Sequence, residues 1–175
     1  MSKKTVKIFN KGDNDLPNYA TELSAGFDIR ADLSRIYKIE DIVGDSNYFT
    51  LEVKDDGKKI ITLLPHGRIL IPTGLHVAIP EGYELQIRPR SGLALKNGIT
   101  ILNTPGTIDS DYKGEIGLIL INTDPLKSFE LKSGDRIAQG VLNEFIQCDW
   151  IKVSNINNLG ESERGEGGFG HSGIK

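Results

Sequence analysis

Apolar and polar residues alternate with a period of two along much of this chain. Leu75, Val77 and Ile79 are interleaved with His76 and Ala78, Tyr83, Leu85 and Ile87 with Glu84, Gln86 and Arg88, and Phe129 and Leu131 with Glu130 and Lys132. Successive side chains of a strand point to opposite faces, so the pattern predicts strands with one face on a core and the other in water. The run from Ile116 to Ile121 is apolar throughout apart from Gly117, which predicts a strand covered on both faces or lying at a subunit contact. Gly and Pro interrupt at short intervals, from Pro65, Gly67 and Pro72 to Pro105, Gly106 and Gly114. Many short strands divided by such turns predict an all-β sandwich, jelly roll or barrel.

Two stretches break the alternation. Ser91 to Gly98 opens on a capping residue, continues with helix formers and ends on Gly, predicting one short helix. Residues 34 to 64 read as an excursion from the barrel: Asn47 to Val53 and Lys58 to Leu64 flank Asp55-Asp56-Gly57 as a surface hairpin. From about Asn155 the composition shifts to Asn, Gly, Ser and Glu, too polar to bury itself. The expected organisation is therefore a barrel domain over 1–154 and a mobile Gly-rich C-terminal arm over 155–175. That arm contains a Gly-x-Gly-x-x-Gly match at Gly165, Gly167 and Gly170, but no strand closely precedes it and no helix can follow, so it is not a dinucleotide fingerprint.

Composition narrows the class. At 175 residues the chain suffices for one domain with a proper core. A formal net charge of -3 supplies no global field for a polyanion, so nucleic acid is not an expected partner. Cys148 is the single cysteine, which excludes an intramolecular disulfide or a cysteine-built zinc site and points to a reducing compartment. No apolar run approaches the ~18 residues of a membrane span, and the basic start lacks a signal-peptide core. The expectation is a soluble, cytoplasmic protein with no membrane partner.

Chemistry concentrates in a few segments. Arg88-Pro89-Arg90-Ser91-Gly92 opens the predicted helix, where free N–H groups, the positive end of the helix dipole, Arg forks and a hydroxyl together suit an anion. The same residues also make an ordinary capped helix with two solvated arginines. Asp109 to Gly114 has the composition of a plain hairpin turn, yet its first carboxylate can serve as a general base toward water. Asp28 reads as a turn or edge-strand residue, or as a carboxylate touching a hard cation through water, since Mg2+ keeps most of its waters. Gln139 reads as an outward strand residue. His66, His76 and His171 lack the spacing of a metal site, and neither a P-loop nor a nucleophile elbow is found.

Taken in order, five segments resemble the five motifs of the trimeric deoxyuridine triphosphatase family: Ala25 to Ala31, Pro89 to Ala94, Gly106 to Glu115, Gly134 to Gln139, and Arg164 to Gly173. The resemblance spans nearly the whole chain. It implies a jelly-roll-like β-barrel with one short helix, assembled as a homotrimer whose active sites are shared between chains, and hydrolysis of dUTP to dUMP and pyrophosphate with Mg2+. Such an enzyme limits uracil in DNA and supplies dUMP for dTMP synthesis. By position, Asp109 would activate the water that attacks the α-phosphorus. Arg90, Ser91, Gly92 and Gln139 would hold the phosphate chain, with Arg164 and Ser172 reaching it from the arm, and Asp28 would touch Mg2+ through water. A hairpin from Asn103 through Gly106 to Ile108 would read the uracil edge, Tyr112 would lie against the deoxyribose, and Phe169 would stack on the base.

Two features depart from the commonest pattern of that family. Lys113 stands where Arg is frequent, which changes the fork geometry of a contact but not its charge, and the 34–64 excursion is longer than in compact members. Two other readings share parts of the site. A dCTP deaminase of the same fold would carry a catalytic Glu where Lys113 stands and would lack the Gly-rich fifth motif; a non-catalytic trimeric nucleotide-binding module would have lost some of the residues named above.

Overall fold

The alternating segments are strands. In the computed structural model, which describes residues 3–168, they are Lys7–Asn10 (β1), Phe27–Arg30 (β2), Val43–Gly44 (β3), Phe49–Val53 (β4), Lys59–Leu63 (β5), Arg68–Ala78 (β6) and Tyr83–Pro89 (β7), followed by the helix Ser91–Asn97 (α1). Ile99–Ile101 (β8), Gly106–Ile108 (β9), Glu115–Asn122 (β10), Phe129–Lys132 (β11) and Arg136–Glu144 (β12) complete the set. They form three antiparallel sheets, in the orders β1-β6-β10-β8 with β3 added on β6, β11-β5-β4, and β2-β12-β7-β9. The chain divides into two compact units, Met1–Phe145 and Ile146–Lys175, and every strand and α1 lie in the first. In the second, the described residues form one 3₁₀ turn, Ile156–Leu159, and Ile146, Trp150 and Ile151 are exposed.

The inward faces of the three sheets meet in one core, in which Ile29, Ile61, Ile71, Ile101, Leu118 and Leu120 are buried. The excursion is part of it. The hairpin forms about the expected turn, Val53 opposite Lys59 with Gly57 at φ 78°, but it is not confined to the surface. Strand β5 is the middle of its sheet, hydrogen-bonded to β4 and β11, and its Ile61 and Leu63, with Phe49 opposite Leu63 on β4, face inward at 0%, 2% and 1% exposed.

Three local expectations change. Strand β10 is not covered on both faces within one chain: Ile116, Leu118, Leu120 and Asn122 are buried, while Ile119 and Ile121 on the other face are only half-buried, which leaves the alternative of a subunit contact standing. Ser91 is the first helical residue and not the cap. Arg90 holds the cap position without a side-chain capping bond, and Gly98 closes the helix in the left-handed region at φ 65°. The segment from Asp109 to Gly114 is not a hairpin either. Strand β9 pairs with β7 and β10 pairs with β6 and β8, so the segment crosses from one sheet to another.

That crossover ends at an irregularity. Glu115 lies opposite His76 and Gly117 opposite Pro72, so two steps on β10 span four on β6. Pro72 has no N–H to offer the ladder, and Gly74 turns through φ 74°, a conformation that favours Gly. The bulge leaves the Gly74 N–H without a ladder partner, and it donates to Glu115 Oε1 at 2.9 Å. Thr73 Oγ1 donates to the Ile116 carbonyl at 2.7 Å. Arg35 Nη2 reaches the same Glu115 oxygen at 2.5 Å.

Two outcomes follow from this packing. Ile61→Ala and Phe49→Ala should each cost about 3 to 5 kcal/mol in urea unfolding, as cavities in a closed core do, and a Gly-Ser linker in place of residues 47–61 should give no cooperatively folded protein. An unfolding midpoint unchanged by these substitutions would return the hairpin to the surface. The second concerns acid. Burial would push the Glu115 carboxyl up, but the hydrogen bonds from Arg35 and the Gly74 N–H outweigh it and hold the group below the ordinary glutamate value. A carboxyl lowered on folding adds stability that is complete above its unfolded pKa, about 4.3, and is lost as pH falls through the lower folded value. The difference in urea midpoint between the parent and Glu115→Gln should hold from pH 7 down to about 5 and shrink below about 4; a difference constant to pH 3 would contradict this.

Candidate active site

Strand β12 gathers the first half of the site. In its register Gln139 lies opposite Asp28 on β2 and opposite Arg88 on β7, with Ala138 opposite Pro89. Gln139 Nε2 donates to the Pro89 carbonyl at 2.8 Å. A Cβ at Gly26 would lie 2.7 Å from Gln139 Oε1, so the bare backbone there makes room for the amide. Asp28 sits between two guanidinium groups: its Oδ1 is 2.9 Å from Arg90 Nε and its Oδ2 is 3.1 Å from Arg136 Nη1. Arg90 Nη1 also donates to the Arg136 carbonyl at 2.9 Å. All three side chains are partly exposed, so these ion pairs add little to stability. They orient the groups, and they leave one net positive charge.

Helix α1 starts at this cluster. Its first internal bond runs from Ala94 N–H to the Arg90 carbonyl, so the N–H groups of Ser91, Gly92 and Leu93 precede the helical ladder. Ser91 and Gly92 are exposed, and a Cβ at Gly92 would meet nothing within 4 Å, which leaves this backbone open to close approach. Beside Asp28 lies a polar pocket of about 120 Å³ lined also by Asn14, Asp15, Arg30, Thr73 and Arg136. A larger cavity of about 280 Å³, between Val6, Ile8, Phe27, Val77 and Leu142, holds no carboxylate or histidine. A third pocket, of about 670 Å³, is also charged, with Asp13, Asp56, Lys58 and Asp135 in its lining; of the three, only the pocket beside Asp28 shares residues with the Asp28–Arg136 cluster.

The second half lies on β9 and the crossover after it. Strand β9 is the outer strand of its sheet, so half of the backbone N–H and C=O groups of Gly106, Thr107 and Ile108 point away from β7 along a free edge. Asn103 stands over this edge, its Nδ2 3.1 Å from where a Gly106 Cβ would be. The Ile108 side chain packs against the core, so only its backbone is available to a ligand. Asp109 is exposed, and its carbonyl accepts the Tyr112 N–H at 3.2 Å. Tyr112, 44% exposed, donates from its hydroxyl to the Glu115 carbonyl at 2.9 Å. The Lys113 carbonyl lies 3.0 Å from His76 Nδ1, and its ammonium turns back to the Ser110 carbonyl.

One chain does not bring the two halves together. Along β7, Leu85 faces Ile108 and Pro89 faces Ala138, four strand steps or about 13 Å apart. Asp109 lies beyond the first position and Arg90 beyond the second, at opposite ends of the strand. Arg164 belongs to the second compact unit, where its Nε donates to the Gly167 carbonyl at 2.7 Å; Phe169 and Ser172 lie outside the described residues. Two charged residues at the site have no counterpart in the sequence reading. Arg136 lies inside the fourth motif segment, Gly134 to Gln139, and that position was a usable signal. Arg35 meets Glu115 across 80 residues, and no local pattern marks it.

Comparisons with known proteins agree with the fold. The dUTPase family model matches residues 57–173, starting at the tip of the β4–β5 hairpin and so including β5. Relatives named deoxyuridine 5'-triphosphate nucleotidohydrolase are 44% identical in Fusobacterium nucleatum, over 99% of both chains, and 45% identical in Caulobacter vibrioides, over 94% of this chain and 90% of the other. The solved dUTPase of Staphylococcus bacteriophage 80alpha with dUPNHPP superposes with a TM-score of 0.75 at 24% identity, covering 98% of this chain and 100% of that one. Its jelly-roll-like, all-β fold is therefore shared. With the five ordered segments, the topology and the full-length relatives in accord, this chain belongs to the dUTPase family.

Proposed function

We propose that the protein hydrolyses dUTP to dUMP and pyrophosphate, with water attacking the α-phosphorus, at sites completed by a second copy of the chain in a homotrimer. The observation that carries this reading is the separation of Arg90 and Asp109 along β7: phosphate-binding groups and base lie too far apart to act in one chain, and a neighbouring copy supplies the missing half. The names of the full-length relatives support the substrate.

The chain's own groups divide the work. A triphosphate carries several negative charges, and attack on it is unfavourable until they are offset. Arg90 and Arg136, now paired with Asp28, would turn toward phosphate oxygens. The Ser91 hydroxyl, the Gly92 N–H and the Gln139 amide would complete the cradle. Asp109 takes a proton from the attacking water. The free edge of β9, with Asn103, pairs with the uracil edge, and Tyr112 covers the deoxyribose where a ribose hydroxyl would not fit. Among the described residues no three His, Cys, Asp or Glu side chains form a protein-built metal site. The few carboxylates at the pocket, Asp28 with Asp15 also in its lining, suit a Mg2+ held mainly by phosphate oxygens and water, with Asp28 in contact through water. When bound, that ion would neutralise charge on the phosphate chain. The arm, residues 155–175, would fold over the site of another copy, with Arg164 and Ser172 on the γ-phosphate and Phe169 on the base.

Incubation of the purified protein with dUTP, dCTP, UTP and dTTP in Mg2+ should give dUMP and pyrophosphate from dUTP, with dCTP and UTP disfavoured by ~10⁴-fold or more, because backbone groups set for uracil go unpaired with cytosine. Asp109→Asn should bind dUTP while turnover falls ~10²-fold or more. Comparable hydrolysis of dCTP or UTP, or deamination of dCTP, would overturn the reading.

A further inference from the structure

The crossover that carries Asp109 and Tyr112 has few partners of its own: it is exposed from Asp111 to Lys113 and pairs with no strand. Its downstream end is held by charge. Glu115, the first residue of β10, accepts from the Gly74 N–H at the β6 bulge and from Arg35. Behind Arg35 lies Asp32, 0% exposed, whose Oδ2 is 3.6 Å from Arg35 Nε. Asp32 Oδ1 accepts the Ser34 N–H at 2.9 Å, while Oδ2 has no hydrogen-bond partner. A Cβ at Gly74 would come within 3.0 Å of that same oxygen and 2.7 Å of the Gly12 backbone, so four separate segments converge on this point.

We propose that Asp32, Arg35 and Glu115 form a positioning triad that sets the place of the base-bearing crossover, and through it of Asp109 and Tyr112. The inference rests on the reading of Asp109 as the base. Three observations carry it. Glu115 is joined to the crossover covalently and also through its own carbonyl, which accepts the Tyr112 hydroxyl. The opposing strand is irregular here, so ordinary ladder pairing does not fix the end of β10. Arg35 and Asp32 touch none of the proposed substrate-binding residues, and the cluster is anchored on a buried group: Asp32 is 0% exposed, behind Arg35 and Glu115, whose side chains are partly exposed. An unpaired buried carboxylate oxygen is costly; Arg35 Nε, 3.6 Å from it and likewise without a hydrogen-bond partner, offsets it by charge alone, while the other end of the guanidinium bonds Glu115.

Misplacing a base by about 1 Å can cost ~10²-fold in rate without loss of binding, and that separates positioning from general destabilisation. Arg35→Met and Glu115→Gln should lower kcat about 10- to 100-fold on dUTP with Mg2+, with KM changed less than about threefold. Arg35→Lys, which keeps the charge without the fork, should recover part of kcat. Hydrogen exchange of amides 109–114 should quicken in the nucleotide-free variants, with strands β6 and β12 unchanged. Glu115→Gln keeps an acceptor for the Gly74 N–H and carries the test should Arg35→Met not fold. Parent-like kcat in the folded variants, or a loss of kcat matched by KM and by exchange throughout the barrel, would overturn the triad. Asp109→Asn, measured alongside, separates the two readings: if it is inactive while Glu115→Gln is fully active, only the positioning inference fails; if it keeps parent turnover, the base assignment fails and the inference with it.

Discussion

Strand β12 is hydrogen-bonded along both edges, to β2 and to β7, and the geometry of the Asp28–Arg90–Gln139 cluster depends on that double pairing. It sets Asp28, Gln139 and the Arg88–Arg90 segment side by side although they are far apart in the chain. A one-residue slip of any of these strands would turn every side chain to the opposite face. The slip is resisted by the buried core positions of the same strands, Ile29, Ile87 and Ala138, whose burial is lost if the register moves. Core packing and placement of the charged groups are thus one constraint.

The electrostatics have a corresponding economy. Two arginines share one carboxylate, so the resting cluster is hydrogen-bonded but retains positive charge. A phosphate chain would offer the same guanidinium groups stronger partners and release Asp28 toward the solvent side. The proposed positioning triad at Glu115 has the opposite arrangement, two carboxylates on one arginine with Asp32 buried, where exchange with a ligand is not required and fixed geometry is the useful property.

Much of this was legible in the sequence because it is local. Period-two alternation marks β6, β7 and β11, Gly98 marks the end of α1, and Asp55-Asp56-Gly57 marks the β4–β5 turn. The five motif segments supplied the candidate site residues through resemblance, since Asp28 or Asp109 alone has the look of an ordinary turn residue. What was not legible is non-local. The apolar content of the 34–64 excursion, Phe49, Ile61 and Leu63, signals burial only once β5 is known to pair with β11. The segment after β9 has hairpin composition, yet β9 and β10 end in different sheets because each pairs elsewhere. Arg35 and Glu115 meet across the fold with no periodicity to link them.

The account stands on the claim that phosphate groups and base come from different copies of the chain, and subunit mixing tests it most directly. Arg90→Ala and Asp109→Asn proteins, each inactive on dUTP, would be dissociated, combined in equal amounts and reassembled, with mixed oligomers verified by mass spectrometry. In a shared site the intact Arg90 and intact Asp109 come from neighbouring copies, so about one quarter of the sites in randomly mixed trimers should be whole and a similar fraction of parent activity should return. Verified mixed oligomers that stay as inactive as the separate variants would contradict the account.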